Sequence, residues 1–116
     1  MALFDIKKLV KKDPTVPEDI KALIKRRRLQ LIIHSCIYYR LNNNLITDAT
    51  YDKWARELAK LHQKYGVIEI NCYDEYFNDW VFALGKTYSG FQLPINNSEI
   101  IALAGDLISY EHKKVQ

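Results

Sequence analysis

Two stretches of the chain, about residues 17–41 and 47–65, repeat apolar side chains at intervals of three and four, the spacing of one helical face. About five residues separate them. Two long helices joined so briefly have to lie antiparallel, and this pair constrains the fold more than any other feature. In the first, Ile20, Ile24, Leu31, His34, Tyr38 and Leu41 form a stripe that Leu29, Ile33, Cys36 and Ile37 widen until its second half is apolar on most sides. Such a helix needs more than one neighbour and is predicted to be central. The second carries Tyr51, Trp54, Leu58, Leu61 and Tyr65 on its face.

The punctuation agrees with these bounds. Thr15-Val16-Pro17-Glu18-Asp19 reads as a helix start, with a hydroxyl nearby, proline in the first turn and two acids at the positive end of the macrodipole. Asn42-Asn43-Asn44 ends that helix, because asparagine tolerates the left-handed conformation of helix ends. Thr47 is predicted to cap the second helix and Gly66 to stop it. Residues 3–12 read as a short basic amphipathic helix ended by Asp13-Pro14, and Val67 to Ile70 as a brief extended segment. Tyr73 to Leu84 has Tyr76, Phe77, Trp80, Val81 and Leu84 at helical spacing. After a glycine-punctuated turn, a last helix capped by Asn97 or Ser98 is expected to bury Ile100, Ile101, Leu103, Leu107 and Ile108. The expected fold is all-α: one domain over residues 1–116, a small helical bundle built on the antiparallel hairpin, with two further C-terminal helices.

A chain of 116 residues, 48% hydrophobic and 27% charged, has the size and balance of one domain with one core. The net charge of +3 is uneven: residues 1–41 carry ten Lys/Arg against four Asp/Glu, and residues 42–116 seven against ten. Lys25, Arg26, Arg27 and Arg28 are the densest run, a cluster able to attract the phosphates of a nucleic acid, though a charge run on a helix is more often a solvated face. Cys36 and Cys72 belong to no metal-ligand pattern and read as core thiols. No apolar run is long enough for a membrane span, so a cytoplasmic protein is expected. The sequence holds no GxSxG, P-loop, GxGxxG or HExxH, and His34, His62 and His112 fall on three different predicted helices. No catalytic residue and no metal ligand is expected, and the chain does not read as an enzyme.

The corner between the two long helices carries the most distinctive chemistry. Tyr38-Tyr39 ends the first helix, and Ile46-Thr47-Asp48-Ala49-Thr50-Tyr51-Asp52 opens the second, followed by Arg56-Glu57-Leu58. Phenol faces stack on a flat cation, and carboxylates accept from hydroxyls or balance a positive ring. The same residues also serve a plain hairpin, Tyr51 as core and the two acids as complements to the helix dipole. Because neighbouring side chains on an α-helix diverge by about 100°, only one of Tyr38 and Tyr39 is expected to be central to a given face.

In residues 30–65 this pattern resembles the N-terminal helical domain, often called Ia, of bacterial NAD-dependent DNA ligases. That family has an aromatic pair ending one helix and Ile-Ser-Asp-x-Glu-Tyr-Asp opening the next; here the glutamate is Thr50 and the turn is asparagine-rich. The resemblance implies that Tyr38, Tyr39, Asp48, Tyr51 and Asp52 face NAD or nicotinamide mononucleotide (NMN). The ligases' nucleophilic Lys-x-Asp-Gly has no counterpart, since Lys11-Lys12-Asp13-Pro14 has proline for glycine, so ligation is not expected. Tyr76-Phe77, Trp80 and Ser89 to Pro94 look like small stand-alone ligase-A-related proteins of phages and mobile elements. The implied function is a non-catalytic module that binds NAD or NMN. The alternative is a protein-interaction module, an inhibitor or accessory of a host defence or replication protein, with the hairpin as scaffold.

Overall fold

The computed structural model describes residues 16–78, 80 and 92–115, with side chains described as far as Lys113. The expected helix at 3–12, residues 79 and 81–84 and the glycine-punctuated turn as far as residue 91 lie outside the described residues. Within them the chain forms α1 (Glu18–Ser35), a π-helical turn (Cys36–Arg40), α2 (Asp48–Tyr65), a 3-10 turn (Asp74–Phe77) and α3 (Ser98–Val115). The described residues contain no strand, so Val67 to Ile70 is irregular. Of the two C-terminal helices expected, α3 is present, and the described start of the other is the 3-10 turn.

Helix bounds follow the local chemistry. The Pro17 carbonyl accepts from the amides of Ile20 and Lys21 at 3.1 Å, so proline sits at the cap position itself, where its missing N–H costs nothing. Thr47 caps α2 as expected, its hydroxyl accepting from the Thr50 amide at 3.1 Å. Gly66, at φ 85°, ends α2 with its amide donating to the His62 carbonyl at 2.8 Å. Asn97, rather than Ser98, caps α3, accepting from the amides of Glu99 and Ile100 at 2.9 and 3.1 Å.

Side-chain pairs set the direction of the hairpin. Ser35 meets Tyr51, His34 meets Trp54, and Arg28 meets His62, so a step down α1 matches a step up α2 and the helices are antiparallel. Helix α1 packs against both α2 and α3, and α3 also touches the π turn. This is the central position its all-round apolarity requires. The core gathers Ile24, Leu31, Ile32, Cys36 and Ile37 with Leu58, Ile68, Phe77 and Ile100, all essentially inaccessible. On α3 the burial differs from the expectation: Ile100 is buried and Ile101, Leu107 and Ile108 are partly buried, but Leu103 is 42% exposed and Ala104 takes the inner position. Both cysteines are buried and free.

The basic run at 25–28 is not a cluster of free cations. Four consecutive residues cover the whole circumference of a helix, and with α1 packed on two sides one of them has to point inward. Lys25 and Arg26 are exposed, whereas Arg27 reaches Gln30 at 2.7 Å and Glu57 at 3.3 Å, and Arg28 is fully buried. The guanidinium of Arg28 donates to Asp74, to the carbonyls of Ile68 (3.1 Å) and Cys72 (3.3 Å) and to His62 Nε2 (3.3 Å). It also lies 5.4 Å from the centre of the Phe77 ring. The segment after α2 thus closes around one side chain of α1, a use of the run that the phosphate reading did not foresee.

Candidate functional site

The corner between α1 and α2 begins where α1 changes its winding. From Cys36 to Arg40 the chain makes a π turn, in which the Leu41 amide donates to the Cys36 carbonyl at 3.0 Å and the Asn43 amide reaches back to Ile37 at 2.9 Å. Asn42 completes the exit at φ 51°, the left-handed conformation expected of this asparagine tract. A widened turn reduces the angle between successive side chains below that of an α-helix. Tyr38 and Tyr39 therefore both face outward, 54% and 45% exposed, with rings edge to face at 4.9 Å and 89°. This overturns the expectation that Tyr38 belongs to the buried stripe.

Tyr51 faces the corner from the first turns of α2. Its hydroxyl shares a 2.8 Å hydrogen bond with Ser35, and its ring is half-buried against the core. Burial pushes the phenol up from its ordinary range; the Ser35 bond opposes this and Tyr39 reinforces it, so the tyrosine stays protonated and Tyr39 lies within electrostatic reach. Ser35 was not singled out from sequence. Its signal is a single hydroxyl inside the apolar run Leu31 to Ile37, where a buried Ser needs a partner.

The two carboxylates differ. Asp48 is exposed at the first position of α2, behind the Thr47 cap. Asp52 is exposed as well and pairs with Arg56 at 3.0 Å, one turn along the same helix. The corner thus presents two outward phenol rings, a third ring that is anchored, and two acids in water. Rings of this kind offer faces and edges to a flat cation, and exposed carboxylates can accept from sugar hydroxyls, Asp52 while it holds Arg56. The described residues hold no cluster of His, Cys, Asp and Glu with metal-binding geometry, and no helix long and apolar enough to cross a membrane.

The histidines stay apart from the corner's polar groups. His62 is buried and lies between Arg28 and the Trp80 carbonyl, which its Nδ1 meets at 2.9 Å. His34 packs against Trp54 with ring centres 5.5 Å apart and planes tilted by 52°, and burial lowers its pKa. His112 is exposed on α3.

Comparison with known proteins locates the similarity on this hairpin. Residues 17–70 match the family model described as "DNA ligase-like, N-terminal NAD+-binding domain", a span that takes in α1, the corner and α2. The DNA ligase of Pseudothermotoga lettingae is 40% identical over 50 residues, covering 43% of this chain and 7% of the ligase. The DNA ligase of Thermodesulfovibrio yellowstonii is 40% identical over 53 residues, 46% of this chain and 8% of the ligase. The chain thus matches less than a tenth of the length of these relatives. No solved structure matches significantly. From Pro17 to Ile70, the helical hairpin with its tyrosine-bearing corner is similar to the N-terminal NAD+-binding domain of the DNA ligase-like family.

Proposed function

We propose that the corner holds the nicotinamide half of NAD, or free NMN, and that the protein acts as a binding module without catalysing a reaction. The observation that carries this reading is the pair of outward tyrosine rings on the π turn, inside the segment that matches an NAD+-binding domain. Tyr38 and Tyr39 supply ring faces for the oxidised nicotinamide, and Asp48 and Asp52 supply acceptors for ribose hydroxyls. Tyr51 lines the inner wall, where its bond to Ser35 fixes the ring. The proposed setting is the cytoplasm, with the gene carried by a phage or mobile element.

Calorimetric titration with NMN and NAD tests the reading. Heat is expected from the wild type, and much weaker binding from Tyr38→Ala, whose side chain is 54% exposed. Folded wild type that gives no heat with either ligand refutes the proposal.

A second reading, a module that binds a host protein, is favoured by α3, where Leu103 and Tyr110 are 42% and 61% exposed and stand seven residues apart, on one helical face. It predicts a folded protein that ignores both nucleotides and loses its captured partner on Tyr110→Ala.

A further inference from the structure

A site built from tyrosines and carboxylates has an electrostatic problem with a nucleotide. Asp48 and Asp52 suit the cationic ring and the ribose, yet they repel the phosphate attached to that ribose. The C-terminal end of α1 adds negative potential at the same corner. At the start of α2 the dipole has the opposite sign, but Asp48 already stands in that first turn and the Thr50 amide is taken by Thr47. Without a cation, such a corner would favour the nucleoside over the nucleotide.

The cations near the corner are not equivalent. Arg56 is engaged by Asp52. Arg40 follows Tyr39 directly on the π turn, is exposed, and makes no hydrogen bond or ion pair with any described residue. Its charge is felt one turn back at Cys36, where it opposes the upward push of burial on the thiol. Tyr39 sits between Tyr38 and Arg40 in the widened turn, so the arginine leaves the backbone directly beside the tyrosine pair. The left-handed Asn42 and the Asn43 amide bonded to Ile37 fix the backbone that carries it.

We propose that Arg40 reads the phosphate at this corner and makes the site select a nicotinamide nucleotide over the corresponding nucleoside. This rests on the nucleotide-binding reading above and goes beyond it, because it assigns a specificity to a residue outside the tyrosine and aspartate set. A guanidinium meets a phosphate with two parallel hydrogen bonds, which an ammonium cannot reproduce.

The test is titration of the full chain with NMN and with nicotinamide riboside, which differ by the phosphate alone. Wild type is expected to prefer NMN by about tenfold, the scale of one exposed charge-assisted contact. Arg40→Gln should bring the two affinities close to equal by weakening NMN alone, with riboside binding unchanged, and Arg40→Lys should keep part of the preference. Lys53→Gln, at an exposed cation on the outer face of α2, should leave the preference intact. Equal affinity of wild type for the two ligands, or a preference that survives Arg40→Gln, overturns the assignment while leaving the tyrosine corner standing. If wild type binds neither ligand, the corner itself is refuted and Arg40 with it.

Discussion

Arg28 and His62 meet in the core with Nη2 and Nε2 3.3 Å apart, and the arginine decides the state of the histidine. A guanidinium can only donate, so Nε2 has to accept, and the ring proton therefore resides on Nδ1, which donates to the Trp80 carbonyl. Protonating Nε2 would set two cations against each other in a buried space. Burial in the first place, and Arg28 in addition, lower the His62 pKa to about 4, although the Trp80 carbonyl and Asp74 pull the other way. Asp74 completes the arrangement by accepting from Arg28 and from the amides of Ile70 and Asn71 at 3.3 and 3.2 Å. One side chain of α1 thus organises the segment that follows α2.

Arg28→Met should be among the most damaging single changes. It leaves the Ile68 and Cys72 carbonyls and His62 Nε2 without this donor in the core, while Asp74, partly exposed, keeps the Ile70 and Asn71 amides; a buried acceptor left unsatisfied costs about 1–3 kcal/mol. Urea unfolding should show that loss, and hydrogen exchange should show faster opening of residues 68–74 than of α1. A loss below about 1 kcal/mol would mean that the guanidinium is not the organising group.

Acid should destabilise the fold through His62. The unfolded chain takes up the proton near the ordinary histidine value of 6.5, whereas the folded protein does so only near pH 4. Between these values the unfolded state binds more protons, so stability is fully present above about pH 6.5 and is lost as pH falls toward 4, by on the order of 3 kcal/mol. His34, its pKa also lowered by burial, acts in the same direction. His62→Gln, which keeps one donor and one acceptor but cannot titrate, should flatten the stability profile between pH 4 and 6.5; an unchanged slope would point to other groups.

The Ser35 to Tyr51 bond ties the corner to the hairpin. Tyr51→Phe and Ser35→Ala should each cost about 1 kcal/mol, the net value of one hydrogen bond. The double variant should cost less than the sum, because each change removes the same interaction. Strict additivity in a double-mutant cycle would show that the two hydroxyls do not depend on one another.

Tyr38 should separate stability from binding. Its ring is 54% exposed, so Tyr38→Ala is expected to shift stability by no more than about 0.5 kcal/mol. Its effect should fall on NMN affinity instead. Substantial unfolding by this change would assign the ring to packing and remove the basis for a ligand at the corner.

The hairpin and its punctuation could be read from residues alone because they depend on local chemistry. Apolar spacing, the Thr47 hydroxyl, the glycine at 66 and the asparagines after Leu41 act within a few residues of themselves, and the helices begin and end close to where those signals stand. The five corner residues were equally visible as a pattern, since an aromatic pair and an Asp-x-x-Tyr-Asp need no partner to be noticed.

Contacts across the chain decided the rest. Nothing local distinguishes Arg28 from Arg26, yet one is buried among groups 34 to 46 residues away and the other faces water, because packing α1 on two sides selects which azimuth turns inward. Tyr38 looked like core until the turn at Cys36 widened and carried it outward. Side-chain periodicity describes a helix as an isolated cylinder. Which part of the cylinder meets solvent depends on its neighbours and on departures from ideal winding, and those exist only in the assembled fold.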